Sequence, residues 1–535
     1  MAADTAGALT AGKAGVASTQ RMRSLGELIA ISIFWFALNF HWGALLQLLI
    51  PSQVIGLLLQ AAPGQTFAAR AAWVTSDRAA LGQALVLGPG LIVALLANPF
   101  FGILSDRTTA RFGRRRPYIL IAGIINVLGL GLMAFVPQLF GSQGVGSVFA
   151  PGMVALMVTL VIVQFANNAA AAPFHALLPD MVPERQRGKA SGIMGLAYWL
   201  GTISGFIVPF LLGFNSKALL SGTQSLNDYN GRLALGYLIT AAVILVSAVL
   251  TCLFVHEIPL AKDAVSAEAR RDSRRTSGVL VVTVFAVAAV VAVAAVIFRL
   301  PFGIQLDQNS LPVVELVALV VASYGAVRAF DFRPRRAPDF TWVLVTRMVV
   351  MIGVSIVQLF LLQYMLFVVK AANPQEASTI FLILLTITAT LSTFFAGAAS
   401  DRIGRKRMVY IAGTLMAIVG AAFVIAPYVL PGHILGLAYG AAAIFGLGFG
   451  AYVSVDWALV ADVLPSEATF ARDMGVWNIA LTVPQVVATV VGSVLIGIGV
   501  ALGSTTLGYT FLFVWFVIFC VLGTVTVRNI KGIAR

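Results

Sequence analysis

Four sets of polar residues interrupt the apolar runs of this chain at helical spacing. Trp35, Asn39, Gly43 and Gln47 recur every four residues, and Gln164, Asn168 and His175 are separated by four and seven. Ser355 and Gln358 lie three apart, while Asn478, Thr482 and Gln485 are separated by four and three. Residues at these spacings share a helix face, so each set can point to one side. Polarity facing lipid is costly, so these faces are expected to line an interior cavity. Most of the groups are neutral donors and acceptors, with Trp42, Tyr198, Trp199, Tyr364 and Trp477 as aromatic neighbours. That combination suits a neutral polyhydroxyl solute better than an ion. The expected solute-binding residues are Trp35, Asn39, Gln47, Gln164, Asn168, His175, Tyr198, Gln358, Asn478 and Gln485. For any one of them the competing role is a hydrogen bond between helices.

Few ionisable groups fall at membrane depth: Glu27, His41, His175, Arg347 and Asp456. A histidine titrates near physiological pH, so His41 or His175 can carry a proton, although a lone membrane histidine is more often a packing residue. Asp456 is the third coupling candidate. Like Glu27 it falls near a membrane interface, where a solvated or capping carboxylate is the plainer expectation. Arg347, two turns beyond Asp339, is expected to pair with an acidic neighbour. Four histidines without metal spacing supply no metal site, and no enzyme-like acid/base or nucleophile constellation stands out, so no cofactor is expected. Cys252 and Cys520 lie within apolar runs and act as small hydrophobes.

A different chemistry is offered by SDRTTARFGRRRP, residues 105–117, with five arginines. Clustered arginine can mark a nucleic-acid site, so the elements around it decide its meaning. The chain has 535 residues, 59% of them hydrophobic, and a mean hydropathy of +0.95. It therefore reads as an all-α membrane protein, because runs of roughly 20 apolar residues, each enough to cross a bilayer, recur along it. Fourteen spans are expected, at 27–50, 82–104, 118–140, 151–173, 190–213, 233–255, 278–298, 311–328, 341–368, 377–399, 408–430, 434–457, 475–498 and 506–527. With the N-terminus inside, 28 of the 35 lysines and arginines fall in segments on the inner side and six on the outer. The positive-inside rule supports that topology and accounts for the net charge of +14 without a nucleic-acid partner. The first 24 residues lack the apolar core of a signal peptide and are expected to form a cytoplasmic tail.

The chain also repeats itself. GILSDRTTARFGRRRP from Gly102 is echoed by GAASDRIGRKRM from Gly397, and ALLPDMVPERQRGKASG from Ala176 by ALVADVLPSEATFARDMG from Ala458. The expected organisation is a tail (1–26), a six-helix bundle (27–255), a linker with two inserted helices (256–340), a second six-helix bundle (341–527) and a tail (528–535). The inserted pair is rich in Ala, Val and Leu, with Glu315 among its few polar groups, and is expected to be a lipid-facing spacer.

These residues resemble the major facilitator superfamily of secondary transporters. Its loop signature G-x-x-x-D-R-x-G-R-R/K-R/K is met by Gly397, Asp401, Arg402, Gly404, Arg405, Lys406 and Arg407. The longer first copy, ending in R-R-R-P, looks like the glycoside and sucrose:cation symporters. So does ANN followed by P-x-x-ALL-x-D, at Ala166 to Asn168 and Pro173 to Asp180. The resemblance, which covers nearly the whole chain except the inserted pair, implies a major facilitator fold of two six-helix bundles, to which that pair adds two central helices, and alternating access around a midplane site. It also implies a latch between the halves from Asp106, Arg107, Arg116, Asp401, Arg402 and Arg407, made by carboxylates at helix ends and nearby guanidinium groups. Two positions depart from the sucrose pattern. Gln164 stands where those transporters carry an aspartate, and His175 where they carry an arginine, so their proton role does not transfer to position 164. The expected partners are the lipid bilayer and a small solute, with a proton or sodium ion as the coupled cation left open. A multidrug exporter is the rival within transport, although the G-P-x-x-G-G-like motif of the fifth helix is missing. A non-transporting membrane sensor is the rival from another class. The expected location is the plasma (inner) membrane, with both termini cytoplasmic.

Overall fold

The computed structural model describes residues 22–106, 108–255, 257, 275–287, 310–330, 332, 334–463 and 470–530. Thirteen helices among them are long and apolar enough to cross a membrane, which makes this an integral multi-pass membrane protein. The first, α1, runs Leu25–Ala61. It is followed by α2 (Ser76–Ser105), α3 (Arg116–Leu139), α4 (Pro151–Met181), α5 (Arg187–Leu212) and α6 (Leu226–Phe254). Then come α7 (Ser310–Ala329), α8 (Pro338–Phe367), α9 (Pro374–Ile403), α10 (Arg405–Val429), α11 (Ile434–Val463), α12 (Phe470–Ala501) and α13 (Thr505–Thr526).

Local chemistry sets the ends of α1. Ser24 Oγ accepts the Glu27 N–H at 3.2 Å while Glu27 Oε2 accepts the Ser24 N–H at 2.7 Å. This reciprocal cap satisfies two otherwise orphaned donors. The helix was expected to stop at residue 50 and instead continues to Ala61. A π-helical segment, Leu45–Leu49, immediately precedes Pro51 and sends the Ile50 N–H to the Leu45 carbonyl. The ladder has already shifted register there, so the ring that cannot donate is accommodated.

In the first bundle, α1 packs on α5 and α6, α4 on α2 and α3, and α3 on α6. In the second, α8 packs on α12 and α13, α9 on α11, and α10 on α11 and α13. The bundles meet where α2 crosses α12 and α5 crosses α9. Glycines let α1 and α5 approach closely: a Cβ on Gly43 would lie 2.8 Å from the Thr202 carbonyl, and Gly205 abuts the Phe40 carbonyl with no room for a side chain. The end at which α1 starts and α13 finishes also carries Arg114 to Arg116 and Arg405 to Arg407, and is called the basic end below.

The inserted region corrects one expectation. The side of α7 bearing Ala318, Ala322 and Ala326 is buried, against α2 and α12, while Val313, Val317, Val320 and Tyr324 are exposed. Small residues every four positions let α7 settle into the seam between the bundles, so it is a packing element with one lipid face rather than a spacer. An apolar helix, Arg275–Val287, precedes it, and Thr283 lies hard against Gly325. The rest of the span expected at 278–298 lies outside the described residues.

Candidate functional site

A cavity of about 390 Å³ lies between the two bundles at mid-depth. Trp35, Asn39, Gln47, Gln164, Asn168, His175, Tyr198, Gln358 and Gln485 all line it, as do Trp42, Trp199, Ser355 and Thr482. The side chain of Asn478 lies outside the described residues. Tyr364 points elsewhere, into a ring cluster with Phe423, Tyr509 and Phe513. The helical spacing of four therefore picked out the inward faces of α1 and α4. Sequence reasoning missed Asn98 and Thr386, which also line the cavity. Asn98 has no polar partner at helical spacing on α2, and Thr386 sits in a run of threonines that singles out no face.

The wall amides are held by local bonds. Asn98 Nδ2 donates to Asn168 Oδ1 at 3.4 Å, Asn168 Nδ2 donates to the Gln164 carbonyl at 2.8 Å, and Asn39 Nδ2 donates to the Trp35 carbonyl at 2.7 Å. Gln47 Oε1 and Gln164 Nε2 are buried in the wall with no hydrogen-bond partner among the described residues. On the basic-end side of the amides, the Trp35 ring meets His175 edge-on at 4.8 Å and lies 6.2 Å from Tyr198. Rings at these distances form an apolar shelf that a sugar-like face can cover.

Away from the basic end, hydrogen bonds close the seam. Gln83 Nε2 donates to the Leu359 carbonyl at 2.6 Å and Gln363 Nε2 to Gln83 Oε1 at 2.7 Å. Gln375 Nε2 donates to Ser52 Oγ at 3.1 Å and to Ser216 Oγ at 2.5 Å, while its Oε1 accepts the Ser216 N–H at 3.1 Å. Asn215 Nδ2 adds a bond to the Ala372 carbonyl at 3.0 Å and Lys217 Nζ one to the Lys370 carbonyl at 2.7 Å.

The coupling candidates separate. His175 is on the cavity wall, whereas His41 is fully buried and neither ring nitrogen has a hydrogen-bond partner among the described residues. Asp456 is also buried and is bonded to Arg347 Nη1, with the Tyr452 hydroxyl donating to its other oxygen at 3.2 Å. Arg347 thus has the acidic partner expected of it, on α11, while the expectation for Asp456 is corrected: it is neither solvated nor a cap. The guanidinium also lies over the Trp477 ring at 4.0 Å, a cation–π contact that helps hold a charge away from water.

At the basic end the arginine-rich loop folds into a clasp. The buried Arg115 guanidinium donates to Ser105 Oγ at 2.6 Å, meets Asp106 at 2.5 Å and reaches Asp180 at 3.2 Å, and Arg114 meets Asp180 at 2.5 Å. Glu257 accepts the backbone N–H groups of Arg115 at 2.9 Å and Arg116 at 3.1 Å, capping the start of α3. Arg116 donates its side chain to the Cys252 carbonyl. These contacts all lie within the first half, so the expected latch residues Asp106 and Arg116 tie α2, α3, α4 and the end of α6 together in this conformation. Arg107 and the side chain of Asp401 lie outside the described residues, and Arg402 and Arg407 are exposed. Gly113 and Gly404, the repeated loop glycines, take φ of +104° and +99°, a region that penalises any Cβ.

A protein backbone of this arrangement is already known. A POT family transporter crystallised with 5-aminolevulinic acid matches 96% of this chain and 99% of its own, with a TM-score of 0.65 at 15% identity. The chain has the major facilitator fold. Within it, residues 77–306 match the family model described as MFS/sugar transport protein. The sucrose transport protein SUC4 of Arabidopsis thaliana is 28% identical over 177 residues, 32% of this chain and 34% of the relative. Proton-associated sugar transporter A of Homo sapiens is 31% identical over 180 residues, 32% of this chain and 22% of the relative. The matched stretch thus spans about a third or less of these relatives' length. The chain resembles the glycoside and sucrose:cation symporters of the major facilitator superfamily.

Proposed function

We propose that this chain is a secondary active transporter that moves a neutral polar solute, such as a sugar or glycoside, by alternating access with a coupled cation. The observation that carries the reading is the cavity itself: both bundles line it with neutral amides, hydroxyls and aromatic rings, and a hydrogen-bonded seal lies at one end. The names of the partial relatives point the same way. Under the positive-inside rule the basic end is cytoplasmic, as are both termini, in a plasma (inner) membrane. The conformation then has its extracellular seal shut. The charged loops, Asp106, Arg107 and Arg116 with Asp401, Arg402 and Arg407, latch the halves in the opposite conformation. Asp456, held by Arg347, and His175, on the cavity wall, are the groups through which a proton or sodium ion acts.

Ligand-induced thermal stabilisation across sugars and glycosides tests the solute class. Proteoliposome uptake under imposed proton and sodium gradients then tests coupling. A folded preparation that responds to no member of a broad panel overturns the solute class, and binding without tracer uptake favours a sensor. Multidrug export fits less well, because the cavity wall carries no carboxylate among the described residues to meet a cationic drug.

A further inference from the structure

The inserted helix α7 touches one helix from each bundle, α2 and α12, at their crossing. Its Glu315 is 3% exposed, and neither carboxyl oxygen has a hydrogen-bond partner among the described residues. The carboxyl tip fills the space beside Gly88, where a Cβ would lie 2.6 Å from Oε1 and 2.8 Å from Oε2. Two residues on, a Cβ at Gly90 would lie 2.9 Å from Cγ of Gln164, a cavity-wall residue. Between them Pro89 cannot donate to the Leu85 carbonyl, so α2 lacks a ladder bond where Glu315 presses from one side and Gln164 from the other.

An isolated carboxylate in such surroundings is far more costly than the neutral acid. Among the described residues no cation offsets it. On α2 the charged residues are Asp77 and Arg78 near its start and Asp106 at its end. The nearest, Arg78, is ten residues from Gly88, about 15 Å along the axis. The charged residues of α12, Arg472 and Asp473, lie at its start; the preceding short helix carries Arg275, and α7 itself Tyr324 and Arg328 near its end. Metal cations need several oxygen ligands, which a single carboxyl does not supply. A proton needs one.

We propose that Glu315 is a proton-binding site that the inserted helix brings to the seam. In this conformation the carboxyl is neutral and covered by α2. When α2 moves against α12 and uncovers it, the O–H bond breaks, the proton passes to water and the carboxylate is left solvated. Raising the pH therefore drives the protein away from the present conformation. This rests on the two-conformation part of the function proposed above, and is independent of which solute is carried.

The test is a distance measurement on the full chain in lipid nanodiscs, with no solute added. Spin labels go on cysteines replacing Thr109 and Ile403, which are exposed, at the basic end and in different halves. The native Cys252 and Cys520 are buried. Two distance populations are expected, with the shorter growing as pH rises. Glu315→Gln should abolish that shift and hold the longer distance at every pH, and Glu315→Asp should restore a pH response. Infrared difference spectra should show a protonated-carboxyl stretch that Glu315→Gln removes. A pH shift that survives Glu315→Gln, or an unchanged carboxyl band, overturns the proton site and leaves alternating access standing. Two populations indifferent to pH also overturn it. A single distance at every pH, with and without the sugar panel, overturns the two-conformation reading itself.

Discussion

The Arg347–Asp456 pair allows a quantitative prediction. Both side chains are buried, at 7% and 2% exposure, with Arg347 bonded to Asp456 and lying over the Trp477 ring. Removing one partner of a buried pair costs about 3–5 kcal/mol, because the survivor keeps its desolvation penalty without its counter-charge. In Asp456→Ala the guanidinium retains Trp477, a contact worth about 1–2 kcal/mol, so the net loss is about 2–4 kcal/mol. In Arg347→Met the carboxylate retains only the Tyr452 hydroxyl, and the loss stays at about 3–5 kcal/mol. Replacing both, as Arg347→Met with Asp456→Leu, removes both charges and should fall within about 1 kcal/mol of wild type. The cycle therefore predicts an interaction energy of at least about 4 kcal/mol, measured by reversible unfolding in mixed micelles. Additive single losses, or singles each costing under about 1 kcal/mol, would refute the argument that the pair is dry and mutually dependent.

Three further outcomes follow from the contacts described. Arg115→Ala breaks the clasp at its buried member; Asp106 is 61% exposed and contributes little, so the loss of about 2–3 kcal/mol comes from Asp180 and Ser105 and should appear as lower thermal stability and faster proteolysis of the 105–117 loop. Gln375→Ala removes bonds to Ser52 and Ser216 across the seal; a loss of about 2 kcal/mol, roughly 30-fold in population, should speed alkylation of a cysteine placed at the buried Ala371, and an unchanged rate would deny the seal its role. Gln47→Ala and Gln164→Ala should each weaken solute binding by roughly tenfold, as loss of one hydrogen bond does, whereas Tyr364→Phe, away from the cavity, leaves titrated affinity unchanged.

Thirteen of the fourteen expected spans were legible because a bilayer imposes length and apolarity on each, and among these only local shifts escaped, such as the π segment that carries α1 past Pro51. The inward faces of α1 and α4 were legible because polar spacing of four records a shared face. The clasp was not. Arg115 and Asp180 are 65 residues apart, and Arg115 and Glu257 are 142 apart. Charge counting could place these groups at one end of the bundle without choosing among several arginines. Glu315 was passed over for a related reason: composition describes the average of α7, while its role depends on the bare patch at Gly88 on another helix.

The two bundles repeat a fold but distribute charge differently, and this bears on how a cation can act. In the first, Arg114, Arg115, Asp106, Asp180 and Glu257 gather at the loop level, and the cavity wall carries no carboxylate, lysine or arginine among the described residues. Among the described residues, the buried carboxyl and guanidinium groups at depth are Arg347 and Asp456 in the second bundle, with the neutral Glu315 on the inserted helix. None of the three lines the cavity. A charge that changes on any of them therefore reaches the solute only through moving helices, and two helices make the connections. Helix α12 carries Trp477 beneath Arg347 and, two residues on, Ile479 in the cavity wall. Helix α2 separates Glu315 from Gln164 and crosses α12 at the seam. Changes to wall amides should then alter affinity with coupling intact, while small-to-large changes along the α2–α12 crossing should alter cation dependence with affinity largely kept.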